Sequence, residues 1–188
     1  TMRRQLAARD FLEAINYAFI DGDLLAKWQA VEGGVPLANP LSAELGTMRT
    51  MLLPGLVAAL GRNAARQQSR VRLFEIGKVF AARNGEAPLE TARIAAVVCG
   101  DAQAEQWGAQ ARPVDFHDLK GDLDSLATAS GATLEYRQSQ AAWGHPGRSA
   151  DIHRDGERIG WIGQLHPRLQ KILDLDTDAV AFEVDLTA

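Results

Sequence analysis

Several side chains in this sequence are able to do chemistry, and their spacing sorts them. Glu183 and Asp185 stand two positions apart near the end of the chain. On a strand, residues so spaced point to one face and lie close enough to share a site. They read either as a catalytic carboxylate pair or as an acidic edge, exposed or turned to a partner. Ser149 lies near His145 and Asp151. A nucleophilic triad is defined by geometry, and closeness in sequence does not supply it. His117, His145, His153 and His166 form no close His-x-x-x-His pair. His145 and His166 each precede a proline and read as turn residues, so no metal site is expected. Cys99, the only cysteine, sits inside an apolar run, where a thiol is buried and inert rather than nucleophilic. The glycines of Gly160-Trp161-Ile162-Gly163 lack the spacing of a phosphate loop and fit close strand packing or a bulge. Arg62, Arg66 and Arg70 recur at every fourth position. They form one basic stripe if a helix persists that far, read first as a solvated face and second as an RNA contact.

The chain that must position these groups has 188 residues, enough for a single domain over residues 1–188 with one sizeable core. Its composition, 46% hydrophobic and 23% charged, is that of a globular domain. The net charge of −4 argues against a surface built for the phosphate backbone of nucleic acids. No apolar run approaches the roughly 20 residues that span a bilayer, so no membrane partner is expected. Arg3 and Arg4 lead into Gln5 rather than an apolar block, so no signal peptide is expected at this point. One cysteine forbids an internal disulfide and fits a reducing, cytoplasmic setting.

Periodicity predicts the elements. Residues 2–9 read as a short helix, and residues 11–20 as a strand buried on both faces. Asp21 caps a short helix holding Leu24, Leu25 and Trp28, ended by Gly33-Gly34. Residues 52–68 place Leu53, Leu56, Val57, Leu60 and Ala64 on one helical face, with Pro54 in the first turn. A strand from Val71 follows, with Arg72, Phe74, Ile76, Lys78 and Phe80 on one side and Val71, Leu73, Glu75, Gly77 and Val79 on the other. Asn84-Gly85 turns the chain into the apolar strand 94–99, expected to be central. Residues 101–113 read as a loop anchored by Trp107, and residues 115–129 as a helix with Leu119, Leu123 and Leu126 inward. A short strand at 134–137 precedes a hairpin around Asp155-Gly156, in which Ile159, Trp161 and Leu165 share a face. A short helix starts at Pro167, and a last strand alternates Val180, Phe182, Val184 and Leu186 against Ala181, Glu183 and Asp185. Successive hairpins without β-α-β alternation give an α+β domain: a mainly antiparallel sheet flanked by helices, expected on one face.

Several runs resemble the β subunit of bacterial phenylalanyl-tRNA synthetases. They are Asn39-Pro40-Leu41-Ser42, Met48-Arg49-Thr50, Leu53-Pro54-Gly55-Leu56, the strand from Arg72 to Phe80, Asp118-Leu119-Lys120-Gly121-Asp122, His145-Pro146-Gly147-Arg148-Ser149-Ala150, Gly163-Gln164-Leu165-His166-Pro167 and Ala181-Phe182-Glu183-Val184-Asp185-Leu186. They cover essentially the whole chain in the family's order.

The resemblance implies one portion of a longer subunit, related to class II synthetase catalytic cores, with the editing, other RNA-binding and anticodon-binding modules elsewhere. It also implies a partner, the catalytic α subunit. Met48-Arg49-Thr50 is similar to that subunit's Leu-Arg-Thr, and Gly77-Lys78-Val79-Phe80 to the start of its second motif. There the strand ends in an arginine that holds the ATP phosphate. Here Ala81 follows, and a methyl group makes no bidentate clamp; Arg83 is the nearby candidate to compensate. Where the α subunit carries a substrate-binding Phe-x-Gln-x-Glu strand, this chain has the apolar run 94–99. Where the α subunit has glycines that admit ATP, this chain has Glu183 and Asp185, which would repel a triphosphate. The resemblance therefore implies a non-catalytic scaffold, inactive alone, in an (αβ)2 enzyme that charges tRNA with phenylalanine. No catalytic residue, cofactor or metal is expected in this domain; ATP and Mg belong at the α subunit, and tRNA is met through the whole enzyme. Asn39, Pro40, Leu41, Met48, Arg49, Leu53, Leu56 and Leu60 are the candidate subunit interface. The alternatives are a residual nucleotide or amino-acid site, or tRNA binding through Arg62, Arg66 and Arg70.

Overall fold

The computed structural model describes every residue except Val31, Glu32 and Ala188. Among the described residues there are five α-helices: α1 (Met2–Ala7), α2 (Gly22–Trp28), α3 (Leu53–Ala64), α4 (Phe116–Ala129) and α5 (Pro167–Ile172). The strands are β1 (Leu12–Glu13), β2 (Phe19–Ile20), β3 (Val35–Pro36), β4 (Thr47–Met48), β5 (Val71–Ala81), β6 (Leu89–Cys99), β7 (Glu135–Gln138), β8 (Gly144–Arg154), β9 (Glu157–Leu165) and β10 (Ala179–Asp185). Seven of them form one sheet in the order β1-β5-β6-β10-β9-β8-β7; β2, β4 and β3 form a small second sheet. Every neighbouring pair in the large sheet is antiparallel except β1 with β5, so the sheet is mixed. No helix among the described residues is long and apolar enough to cross a membrane.

Strict alternation in β5 and β10 makes a core on each side of the sheet. Leu53, Leu56, Val57 and Leu60 of α3 pack with Trp28 and Leu169 on Val71, Leu73, Ala95, Val97, Ala179 and Ala181. On the opposite face Leu119, Leu123 and Leu126 of α4 and Leu6 of α1 cover Phe74, Ala96, Val98, Ile162 and Phe182. Helices thus flank both faces rather than the one expected. Each buried Leu or Val contributes about 1.5–3 kcal/mol relative to an exposed one. The α4 start is set by a capping box, in which Asp115 accepts from the Asp118 amide and Asp118 accepts from the Asp115 amide.

The differences from expectation have local causes. Residues 11–20 do not form one buried strand. After Ala14 donates to Phe74 O, the chain leaves the edge of the sheet, and Ile15 and Tyr17 stand 94% and 74% exposed. An edge strand has a ladder partner on one side only, and polar contacts of residues 16–18, described below, draw this one away. Helix α2 ends before Gly33, because Gln29 adopts the left-handed conformation at φ 55° and closes the C-terminus. Helix α3 stops at Ala64, short of Arg66 and Arg70, with Gln67 at positive φ. Trp107 is fully exposed and anchors nothing. The loop is tied at its base, by the pairing of Asp101 with Pro113 and by Ala102 N donating to Arg112 O, so its tip stands off the core. Ile159 does not share a face with Trp161 and Leu165. Ile152 pairs with Gly160 and His153 with Arg158, which leaves Ile159 as the extra residue of a bulge and turns it to the other core.

Candidate functional site

Two ionic contacts, one buried and one part-buried, hold the turn that connects β4 to α3. Arg49 leaves β4 and crosses to β5. Its Nη1 donates to Glu75 Oε1 at 2.6 Å and its Nε to Lys78 O at 2.8 Å. Glu75 is 3% exposed and also accepts from Asn16 Nδ2 at 2.7 Å. Arg49 N in turn donates to Ala18 O, and Phe80 N to Arg49 O. Gly77 makes room for this: a Cβ there would collide with Arg49 Nη2. Guanidinium, carboxylate, amide and bare glycine form one unit, with each charge paired inside the protein.

The second contact centres on Glu183, 4% exposed on β10. Its Oε1 accepts from Arg93 Nη1 at 2.9 Å. Its Oε2 accepts from Leu52 N at 2.9 Å and Leu53 N at 3.1 Å. Helix α3 has no capping side chain of its own, since Leu52 is the N-cap residue and Pro54 carries no N–H. Glu183, distant in sequence, supplies the carboxylate that a local Asp or Ser usually provides, at the positive end of the helix dipole. Burial pushes its carboxyl above the ordinary range, against the opposing pull of Arg93 and the two amides.

Glu183 and Asp185 both border a cavity of about 330 Å³, together with Gln29, Thr50, Arg93 and Trp143. They do not act as a pair there. Glu183 is held as described, and Asp185 accepts from Thr187 N and Oγ1. Glu183 is neither a free catalytic acid nor an exposed edge, which corrects both sequence readings of it. Its partners are invisible in sequence, because no local pattern relates residue 183 to residues 52 and 53.

The other signature runs also meet one another. Arg148 donates to Gln164 Oε1 at 2.9 Å. Residues 145–148 bulge out opposite Gln164, which explains the turn chemistry of His145 and Pro146. A Cβ on Gly163 would strike Ser149. Arg72 pairs with Asp122 and lies 4.2 Å over the Phe11 ring, while Arg112 chelates Asp118.

The remaining candidates are dispersed. Ser149 Oγ donates to the His145 backbone carbonyl at 2.9 Å, and Asp151 accepts from Ser139, so no triad forms. His145 Nδ1 accepts from Gly147 N, and His166 Nδ1 caps α5 by accepting from Arg168 N. No group of three or more metal-ligating side chains assembles among the described residues. Cys99 is buried, and burial raises its thiol pKa. Arg62 and Arg66 are exposed, but Arg70 turns to Asp101 O at 3.2 Å and Asp10 at 3.5 Å, so the three make no continuous stripe. Ala81 is exposed at the end of β5, and Arg83 pairs with Glu86 at 3.4 Å within the same hairpin.

The interface candidates divide. Leu53, Leu56, Leu60 and Arg49 lie inside this chain's own core and have no surface to offer. Asn39 and Pro40 are exposed, Leu41 is 87% exposed, and Met48 is half-buried in the small sheet. Sequence reasoning missed Leu12, Ile15 and Tyr17, exposed together beside the sheet edge. Their apolar character in sequence reads as burial.

The phenylalanyl-tRNA synthetase beta chain CLM domain matches residues 1–186. Among curated relatives, the phenylalanine–tRNA ligase beta subunit of Xanthomonas campestris pv. campestris (strain 8004) is 66% identical over 187 residues. That of Xylella fastidiosa (strain 9a5c) is 63% identical over 188 residues. Each match takes in 99% of this chain and 24% of the relative, so the chain spans about a quarter of the length of the proteins it matches.

Proposed function

This chain belongs to the phenylalanyl-tRNA synthetase β-chain family, and from that premise we propose that it is a non-catalytic core domain of a phenylalanine–tRNA ligase β subunit. Its fold is read as a class II synthetase-like core that has given up its chemistry. It packs on the catalytic α subunit of an (αβ)2 enzyme, where ATP and Mg are used to charge tRNA with phenylalanine.

One observation carries this reading. Polar side chains of the family signature are engaged within this chain: Arg49 with Glu75, Glu183 with Arg93 and the α3 amides, and, at the surface, Arg148 with Gln164. A group held this way is committed to organising the fold. Ala81 and the salt-bridged Arg83 support the absence of a phosphate clamp.

The α subunit docks, in this reading, on the exposed apolar residues Leu12, Ile15 and Tyr17 at the sheet edge. Exposed apolar side chains clustered at one edge are costly in water and mark protein contacts. The test is co-purification of the full-length β subunit with the α subunit. Ile15→Asp with Tyr17→Asp is expected to lower recovery of the complex at least tenfold while the β subunit remains folded. Unchanged recovery would overturn the assignment of this edge.

A further inference from the structure

A cavity of about 370 Å³ opens where the chain leaving α1 meets the start of β5, beside the 101–113 loop. Arg9, Asp10, Arg70 and Arg72 line one side of it, and Gln103 and Gln106 of the loop line the other. Its volume falls within the roughly 300–1,000 Å³ of small-ligand sites. Three guanidiniums meet here in a chain whose net charge is −4. Like charges brought together are costly unless counter-charge is supplied.

The chain supplies too little of it. Asp122 serves two of the arginines, pairing with Arg72 Nη2 and lying 3.4 Å from Arg9 Nε. Arg9 is otherwise spent, donating to Gln5 O at 3.0 Å and to Ser125 Oγ. Arg72 is buried, with its Nε unpartnered, and its Nη1 also has no partner among the described residues. Arg70 Nε donates to Asp101 O at 3.2 Å, its Nη2 reaches Asp10 only at 3.5 Å, and its Nη1 has no partner among the described residues. The Asp10 side chain is 68% exposed, so that contact is weak. Asp118 is taken up by Arg112, and Asp101 and Glu105 border the neighbouring hollow. Burial holds the Arg72 guanidinium below its ordinary value, and the like charge of Arg70 adds to this against the pull of Asp122.

We propose that this cavity binds a phosphate group, clamped between the free Nη groups of Arg70 and Arg72. Guanidinium forks match phosphate oxygens, and a phosphate has enough of them to serve two arginines at once, whereas one fork fills both oxygens of a carboxylate. The bound anion replaces Asp10 as the partner of Arg70 and supplies the counter-charge that Arg72 lacks. Space beyond it, walled by Gln103 and Gln106, takes the group that carries the phosphate. That bearer is a free phosphate ester or the backbone of RNA, which present the same chemistry to the two arginines.

Arginine modification by phenylglyoxal, read residue by residue by mass spectrometry on the assembled enzyme with its full-length β subunit, tests the site. Inorganic phosphate is the probe. It is expected to slow modification of Arg70 severalfold, with half-protection at a few millimolar, and to leave the exposed Arg62 and Arg66 unaffected. The readout is local to Arg70, so phosphate bound elsewhere in the enzyme does not register. Asp10→Asn removes the competing carboxylate at an exposed position whose φ of 63° asparagine tolerates. It is expected to lower the phosphate concentration for half-protection about 3- to 10-fold. A folding defect weakens binding and cannot imitate that gain. Equal modification of Arg70 in phosphate and in potassium chloride of the same ionic strength overturns the proposal. So does a half-protection concentration that fails to fall in Asp10→Asn. Adding tRNA in place of phosphate then identifies the bearer: protection of Arg70 assigns the phosphate to RNA, and no protection assigns it to a free ester, the site standing in both cases.

Discussion

Replacing Gly77 by Ala should be far more damaging than a glycine-to-alanine change in a strand normally is. In an ordinary strand the added methyl is favourable by roughly 0.5–1 kcal/mol, because glycine has more freedom to lose on folding. Here the new Cβ would strike Arg49 Nη2. The contact cannot relax cheaply, since Arg49 is also fixed through Nε to Lys78 O and its own amide is bonded to Ala18 O. Displacing the guanidinium leaves Glu75, 3% exposed, with only Asn16 beside it. Breaking a buried ion pair from one side costs about 3–5 kcal/mol, so the net loss is about 2–4 kcal/mol. For a chain of this size that is a fall in Tm of roughly 5–15 °C. Thermal unfolding followed by circular dichroism measures it. The double variant Gly77→Ala with Glu75→Gln removes the stranded charge and is expected to recover at least half of the loss, a coupling of about 1–2 kcal/mol. A loss under about 1 kcal/mol for Gly77→Ala, or no recovery in the double variant, would refute the idea that Gly77 exists to admit Arg49.

Three further expectations follow from individual contacts. The carboxyl of Glu183 is raised by burial, so the folded state holds its proton to higher pH than the unfolded state does. Its contribution to stability is therefore complete below the ordinary Glu value of about 4.3 and is lost as pH rises through the folded value; Glu183→Gln should flatten that part of a stability-against-pH curve. Asp115→Ala removes one half of the α4 capping box and should cost about 1 kcal/mol in urea unfolding, with the midpoint moving and the slope unchanged. Cys99 should resist a thiol reagent at pH 8 in the native chain and react fully in denaturant, because burial both shields the sulfur and raises its pKa.

Much of the frame was legible in sequence wherever local pattern and long-range packing agree. The span of β5 and both of its faces follow from strict alternation over Val71–Ala81. The α4 helix follows from its leucine spacing, and the β8–β9 turn from Asp155-Gly156. Pattern failed where a distant partner decides. Residues 11–20 look like a buried strand, but they begin at an edge where Arg49 and Glu75 recruit the backbone and side chain of residues 16–18. Ile159 has the right parity for one core, and a single bulge sends it to the other. The site was legible only in two of its members, Arg49 and Glu183, and not in its wiring. Glu75, Gly77, Asn16 and Arg93 give no local signal, and nothing local says that Glu183 caps a helix from the far end of the chain.

In the proposed function this domain organises the enzyme and leaves the chemistry to its partner. ATP–pyrophosphate exchange driven by phenylalanine, measured on the full-length β subunit alone and again after adding the α subunit, tests it most directly. No exchange is expected from β alone, and full exchange once α is present. Phenylalanine-dependent exchange by the β subunit without α would contradict it.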